Sequence, residues 1–259
     1  MCKHRSLLFA GMLLLFSTIA AAQQPAAPPQ EPPVYTYVAS WGVPRQQWDA
    51  FTAYAQQNTR PVLERLAANG TIISWGIFST YVHEIDGETH GVWWSAPTLA
   101  GIERARAELI SRPPSPAITA AKHRDYLFRS LVHRSRTTQP TAGVLLVSES
   151  LVLPGKGQDW RQLWEKYNRP VLDQLFANGT LTSYELEVEQ VHTTDPGMRF
   201  VVYTAPSMDA VDKVNAAIAA AGSSRTPEEQ RTIGQSFLAL IDGKAHRDYM
   251  ASVSAYMYK

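Results

Sequence analysis

The spacing of apolar residues predicts a fixed order of strands and helices in the second half of the chain. A β-rich run precedes a helix whose apolar residues recur every three or four positions, and two alternating segments then predict a strand pair. The apolar face of that helix consists of Trp160, Leu163, Trp164, Tyr167, Val171, Leu172 and Leu175. The predicted strands are Val144–Leu153, Leu181–His192, Met198–Ala205 and Tyr249–Tyr258, with a second helix over Met208–Ala221. The order is therefore β-α-β-β-α-β.

The first half of the chain repeats this pattern. Residues 60–66 match residues 169–175, and residues 68–71 match residues 177–180, both at a separation of 109 positions. The segment His-Arg-Asp-Tyr at 123–126 recurs at 246–249. The elements predicted for the first copy are Val34–Trp41, Trp48–Ala68, Ile72–His83, Gly91–Ala96, Leu99–Ile110 and Tyr126–His133. Agreement at so many separated positions indicates an internal duplication.

The second copy carries an insertion that predicts one more helix near 226–241. Thr226 is suited to cap a helix, Pro227 to occupy its first position, and Glu229 to complete a capping box. This helix could be a lid or a surface for a partner, but we expect it to cover an exposed sheet edge.

The element order predicts an α+β fold of two tandem ferredoxin-like βαββαβ units, residues 34–137 and 143–259. Each unit places both helices on one face of its sheet and leaves the other face bare, so we expect the two units to pack sheet to sheet. This duplicated arrangement resembles the dimeric α/β-barrel superfamily, which includes small cofactor-free monooxygenases and haem-binding relatives such as chlorite dismutase-like proteins. The resemblance covers residues 34–259 and rests on element order and duplication. No haem-site motif of the superfamily is carried by this sequence.

The N-terminal residues predict export. A short basic segment, an apolar run from Leu7 to Ala20 and a small-residue site ending at Ala22 are the parts of a cleavable signal peptide, residues 1–22. The Pro-, Ala- and Gln-rich residues 23–33 predict a linker. We expect a periplasmic or secreted protein.

Composition narrows the chemistry of the mature chain. The only cysteine of the sequence, Cys2, lies within the predicted signal peptide, so the mature chain has none and disulfides and thiol nucleophiles are excluded. Basic and acidic side chains are nearly balanced, which gives no electrostatic reason to expect a nucleic acid or a membrane as partner. A small-molecule ligand and a homo-oligomer remain as expected partners. No metal is predicted, and no cofactor is predicted, with haem left open.

Two equivalent histidines, His83 and His192, fall at the end of the second strand of each copy. An imidazole at the rim of an apolar face could act as a general base. The structural alternative, a histidine that bonds to backbone at a hairpin, is the simpler explanation because no neighbouring residue completes a catalytic group. Alternation places each on the strand face that also carries Trp75 or Tyr184, and we take these two aromatics as candidate ligand-binding residues.

The repeated His-Arg-Asp-Tyr segments are the other candidate site. His123 and Asp125 lie two positions apart, so they share one strand face, and Arg124 and Tyr126 share the other. A His–Asp pair could tune a base, while Arg and Tyr could hold an anionic or phenolic group. The equivalent candidates in the second copy are His246, Arg247, Asp248 and Tyr249. An ion pair that pins the strand is the structural alternative.

Three glutamates, Glu185, Glu187 and Glu189, alternate along one strand face. Three like charges inside a closed barrel would be costly unless cations such as Arg129 neutralise them or the face is wet.

The patterns leave three functions open. The first is an exported protein that binds a small apolar or aromatic molecule between sheet and helices. The second is a cofactor-free enzyme of monooxygenase, isomerase or decarboxylase type that uses one of the histidines as base. The third is a non-catalytic assembly protein whose additional helix docks a partner.

Overall fold

The computed structural model describes residues 32–82, 87–113, 115–119 and 121–259. The predicted signal peptide, nearly all of the predicted linker and His83 lie outside the described residues.

Eight strands form one closed barrel. They are β1 (Tyr35–Gly42), β2 (Ser74–Thr80), β3 (His90–Ala96), β4 (Lys122–Ser135), β5 (Thr141–Val152), β6 (Ser183–Val191), β7 (Met198–Ala205) and β8 (Ile241–Tyr258). Their order around the barrel is β1-β3-β2-β8-β5-β7-β6-β4, and all neighbours are antiparallel. Both halves therefore have the same internal order, β4-β1-β3-β2 and β8-β5-β7-β6. The halves join where β2 pairs with β8 and β4 pairs with β6, so the barrel leaves no free strand edge.

The last strand of each half begins earlier than its apolar pattern predicts. The pattern places their starts at Tyr126 and Tyr249, whereas β4 begins at Lys122 and β8 at Ile241. The backbone groups of β1 and β5 extend past the apolar positions and need partners, which they find in the added residues: Gly42 pairs with Lys122. Both His-Arg-Asp-Tyr segments consequently lie within strands.

The helices cover the outside of the barrel. They are α1 (Trp48–Tyr54), α2 (Arg60–Ala68), α3 (Leu99–Ile110), α4 (Pro116–Thr119), α5 (Gly157–Tyr167), α6 (Arg169–Ala177), α7 (Met208–Ser223) and α8 (Pro227–Leu238). None of the described helices is long and apolar enough to cross a membrane. One apolar core lies under the helices of each half, and Trp75 in the first core and Trp164 in the second are among its fully buried side chains.

The regular α-helical pattern of the first helix of each half is interrupted just before the proline that its sequence contains. In the first half a π-helical turn, Ala55–Thr59, joins α1 to α2, and Pro61 lies in the first turn of α2. In the second half α5 ends at Tyr167, and Pro170 lies in the first turn of α6. A proline has no N–H to donate, so the α-helical hydrogen-bond pattern cannot run unchanged through either position.

The additional helix of the second half, α8, begins as predicted. The Thr226 hydroxyl accepts from the Glu229 amide, and the Glu229 carboxylate accepts from the Thr226 amide, which completes the capping box. The expectation that this helix covers a sheet edge is wrong, because the closed barrel has no such edge. Phe237 packs partly buried against the second core.

Candidate functional site inside the barrel

The inner face of the barrel encloses a cavity of about 1380 Å³. One end, here called the mouth, carries exposed residues such as Lys122 and Lys244. The other end, the floor, carries the buried residues Thr36 and Tyr258. Because side chains alternate across a strand, every second residue of a strand faces this cavity.

The middle of the cavity has an apolar wall. It is formed by Val38, Phe78, Trp93, Phe128, Leu145, Val147, Phe200 and Val202. Two glycines make room for two of the rings, because a Cβ on Gly76 would lie 2.0 Å from the Trp93 indole and one on Gly91 would lie 2.2 Å from the Phe78 ring. Two large aromatic side chains of the wall therefore each lie over a glycine of the neighbouring strand, which has no side chain to displace them.

The floor carries two buried glutamates, Glu185 and Glu187. Burial, and then the neighbouring Glu185, raise the pKa of Glu187 well above its usual range, which favours the neutral form of this carboxyl. A neutral carboxyl can donate a hydrogen bond as well as accept one. Among the described residues, Oε1 of Glu187 has no hydrogen-bond partner. The cavity therefore has a polar group at its closed end that a bound molecule could satisfy.

The other two glutamates of this strand face, Glu185 and Glu189, have interaction partners close by. His133 Nδ1 lies 3.1 Å from Glu185 Oε2, at ion-pair distance although outside hydrogen-bond alignment. Glu189 accepts from the hydroxyls of Thr193 and Thr194 at 2.7 and 2.8 Å. The expected cation, Arg129, does not contribute, because it pairs with Val188 and so lies on the opposite strand face.

The mouth carries a hydrogen-bonded chain from β4. The Tyr126 hydroxyl donates to Glu88 Oε1 at 2.9 Å, and the Arg124 guanidinium donates to the Tyr126 oxygen at 3.2 Å. Burial raises the pKa of Tyr126 well above its usual value, so it remains a phenol. Arg124 and Tyr126 both line the cavity, as the alternation of β4 predicts for residues sharing a face.

Glu149 is a titratable cavity residue that sequence reasoning missed. Burial raises the pKa of its carboxyl to about 7, and the nearby Arg247 partly opposes this shift. Glu149 pairs with Arg247 across β5 and β8, and both side chains line the cavity. A signal was present in β5, where Leu145, Val147 and Glu149 alternate and only the last is charged.

The candidate histidine–aspartate pairs lie near the rim. His123 Nε2 is 3.0 Å from Asp125 Oδ1, and the His123 ring stacks on Trp41 at 4.8 Å. In the second half, His246 Nδ1 lies 2.7 Å from the Glu149 carbonyl oxygen. Its Nε2 lies 3.4 Å from Asp248 Oδ2. Arg247, Asp248 and Tyr249 line the cavity mouth.

Three predicted site residues lie away from this cavity. Trp75 and Tyr184 are fully buried on the helix-facing side of the barrel, where the Tyr184 hydroxyl donates to Asp173 of α6. They are core residues because their positions alternate with the cavity-facing Gly76 and Glu185. His192 is exposed after the end of β6. The position of His83 lies outside the described residues.

The histidine among the described lining residues is His123. It is paired with Asp125 and stacked on Trp41 at the rim, so its imidazole is not placed to bind a haem iron in the cavity. Across the described ranges, no group of three or more His, Cys, Asp or Glu side chains could hold a metal ion.

No protein-family model matches this sequence, and no curated protein sequence matches it. Solved structures do match its fold. A candidate monooxygenase from Fusobacterium nucleatum, 9% identical, aligns with a TM-score of 0.62 over 88% of this chain and 94% of its own. A candidate monooxygenase from Lactobacillus acidophilus, 9% identical, aligns with a TM-score of 0.56 over 88% and 97%. An anthrone oxidase-like protein, 10% identical, aligns with a TM-score of 0.53 over 88% and 94%.

These neighbours are dimeric α/β-barrel proteins. At such low identity the likeness extends to the fold alone. The chain has an α+β fold, a closed antiparallel barrel surrounded by helices, similar to the fold of these three structures.

Proposed function

We propose that the barrel interior binds a small apolar or aromatic molecule. The observation that carries this proposal is the barrel cavity of about 1380 Å³ with its aromatic and aliphatic wall. Ligand pockets typically measure roughly 300–1,000 Å³ and are mostly apolar with a few polar groups. The cavity therefore has room for a molecule of several fused rings together with some water.

Polar groups at both ends of the cavity would orient such a molecule. At the floor, the Glu187 carboxyl has an oxygen without a partner among the described residues, so it can accept a hydrogen bond from a ligand hydroxyl, and the raised pKa favours the protonated form that could also donate one. At the mouth, Arg124 and Tyr126 offer a cation and a phenol. A flat molecule with an oxygen at one end matches this arrangement.

The proposal is tested by calorimetric titration with 1-naphthol of the wild type and of two matched variants. Leu145→Trp places an indole in the cavity, whereas Leu238→Trp places one on the exposed surface of α8. We expect the first variant to weaken binding by at least about tenfold, or ~1.4 kcal/mol, and the second to leave it unchanged. Equal affinities in the three proteins would place the binding site elsewhere.

A second candidate function is cofactor-free catalysis, of monooxygenase, isomerase or decarboxylase type, in the same cavity. The observation that favours it is Glu149, whose pKa of about 7 suits a general base at neutral pH. The names of the structural neighbours, candidate monooxygenases and an anthrone oxidase-like protein, support the oxygenase version. Here Glu149 replaces the histidines as the proposed base, because it faces the cavity and Arg247 lies beside it.

Oxygen consumption with anthrone as probe tests this candidate. A positioned general base contributes about 10²–10⁴ in rate, so Glu149→Gln is expected to lower kcat at least a hundredfold, about the lower end of that range. Binding of 1-naphthol should persist in this variant, because the wall is intact. Loss of turnover with retained binding in the variant supports catalysis. If the wild type consumes no oxygen with anthrone, the oxygenase version of this candidate is rejected and ligand binding remains as the proposed function.

The architecture and export of the chain belong to the same proposal. The shared strand order of the two halves supports two tandem ferredoxin-like units, 34–137 and 143–259, that form the barrel together. Export with cleavage after Ala22 would be checked by N-terminal sequencing of the mature protein, which should begin at Gln23. Light scattering of the same sample would give the oligomeric state.

A further inference from the structure

A second cavity, of about 600 Å³, lies outside the barrel, between the sheet and helices α5 and α7 of the second half. Trp164, Tyr167 and Tyr203 contribute aromatic surface to it, and Asn215, Arg225 and Asp248 contribute polar groups. Trp164 is buried, and its indole N–H has no hydrogen-bond partner among the described residues. This cavity shares some wall residues with the barrel interior but opens on the opposite sheet face.

The equivalent space in the first half is filled by the side chains of the chain itself. Tyr37 stacks on Trp94 with ring centroids 4.6 Å apart. Its hydroxyl interacts with Asp125 and Arg106, and burial together with Asp125 raises its pKa to about 12. The Tyr37 ring thus stacks on the Trp94 ring, and its hydroxyl points toward the Asp125 carboxylate.

The internal repeat shows how the two halves differ at this place. At the separation of 109 positions, Leu146 stands in place of Tyr37 and Asn215 in place of Arg106. Leu146 pairs with Tyr203 in the register in which Tyr37 pairs with Trp94. The carboxylate is kept, because Asp248 corresponds to Asp125 in the repeated His-Arg-Asp-Tyr segment. Trp164 replaces the small Ala55 and forms one wall, yet the cavity remains.

We propose that this second cavity binds a monocyclic phenol, which takes the place that the Tyr37 side chain occupies in the first half. The ring packs against Tyr203 and Trp164, and the hydroxyl donates to Asp248. A cavity left by a shorter side chain commonly accepts a molecule of the missing shape, and the exposed Asp248 carboxylate at the edge of this cavity can accept a hydrogen bond from a hydroxyl. This site is independent of the ligand proposed for the barrel.

The probe for this site is p-cresol, the side chain of tyrosine as a free molecule, and toluene is its control without the hydroxyl. Binding is followed by ¹H–¹⁵N NMR titration of the tryptophan indole signals, with Trp164 assigned by a Trp164→Phe variant. We expect saturable p-cresol binding that perturbs the Trp164 indole signal, with toluene at least about twofold weaker because it cannot donate a hydrogen bond to the exposed Asp248 carboxylate.

Two substitutions of neighbouring leucines separate this site from the barrel. Leu146→Tyr restores the missing side chain and should weaken p-cresol binding by at least about tenfold, whereas Leu145→Tyr, which points into the barrel, should leave it unchanged. If circular dichroism shows that Leu146→Tyr does not fold, Leu146→Phe, which fills the same ring space without the hydroxyl, replaces it with the same expectation. No saturable shift of the Trp164 indole signal, or an affinity that survives the filling variant, overturns the proposal.

Discussion

Replacing Gly76 by alanine tests the pairing of a glycine with an aromatic ring that shapes the barrel cavity. An added Cβ would lie 2.0 Å from Cη2 of Trp93, 2.2 Å from Cζ2 and 2.5 Å from Cζ3. Carbon atoms in contact normally stay about 3.5–4.0 Å apart, so the indole must retreat by about 1.5 Å. The backbone of Gly76 does not have a positive φ, so the effect is one of packing alone.

The expected magnitude follows from two opposing contributions. Overpacking of a well-packed position costs typically about 1–3 kcal/mol. Replacing a strand glycine by alanine returns roughly 0.5–1 kcal/mol, because alanine loses less conformational freedom on folding. Since the cavity lets the Trp93 ring move, the lower half of the range applies. We expect the free energy of unfolding to fall by about 1 kcal/mol.

Urea denaturation at neutral pH measures this change, and 1-naphthol titration measures its effect on the cavity. The matched control is Gly234→Ala in α8, where no atom lies within 4 Å of the added Cβ. That control should stabilise the protein by up to about 1 kcal/mol. A Gly76→Ala variant as stable as the wild type, with unchanged naphthol affinity, would refute the claim that the position of the Trp93 ring requires a glycine at residue 76.

Three further substitutions test separate parts of the structure. The folded-state pKa of Glu149 is about 7 and its unfolded value about 4.3, so the unfolded chain binds fewer protons between these values and stability falls as pH rises through them. In the wild type the free energy of unfolding should therefore decrease between pH 4.5 and pH 8, and Glu149→Gln should make this decrease smaller by on the order of 1–3 kcal/mol. Urea denaturation at the two pH values measures it. The same decrease in the variant and the wild type would count against a buried carboxyl at this position. Thr226→Ala removes the cap of α8 and should cost about 1 kcal/mol, seen as faster amide exchange in the first turn of the helix, with Ser236→Ala as a control. Trp75→Ala should lower the free energy of unfolding by about 3–5 kcal/mol, measured by thermal or urea unfolding. The folded variant should keep the naphthol affinity of the wild type. Loss of binding in a variant that is still folded would show that Trp75 belongs to the binding site.

The sequence predicts the order of elements because duplication reveals it twice. Strand β3 ends at Ala96 and α3 covers Leu99–Ile110, both as the apolar spacing predicts. The breaks at Pro61 and Pro170 follow from proline chemistry. These features are local, so they can be read from neighbouring residues.

The face of each strand that becomes the inside of the barrel cannot be read locally. Alternation places Trp75 and Gly76 on opposite strand faces, and likewise Tyr184 and Glu185. It does not tell which of the two faces packs under the helices and which one lines the inside of the barrel. The larger aromatics pack under the helices, and the face with glycine and glutamate lines the cavity. Closure of the barrel decides this, because the β2–β8 and β4–β6 pairs join residues far apart in the chain. Glu149 was missed for the same reason, since its burial depends on strand β8 lying beside it.

A crystal structure of the protein soaked with 1-naphthol tests the central claim most directly. We predict that the naphthalene rings lie inside the barrel against Trp93 and Phe200, with the hydroxyl toward Glu187. Rings found only outside the barrel, or an empty interior at a naphthol concentration that saturates the calorimetric titration, would contradict the claim that the barrel interior is the binding site.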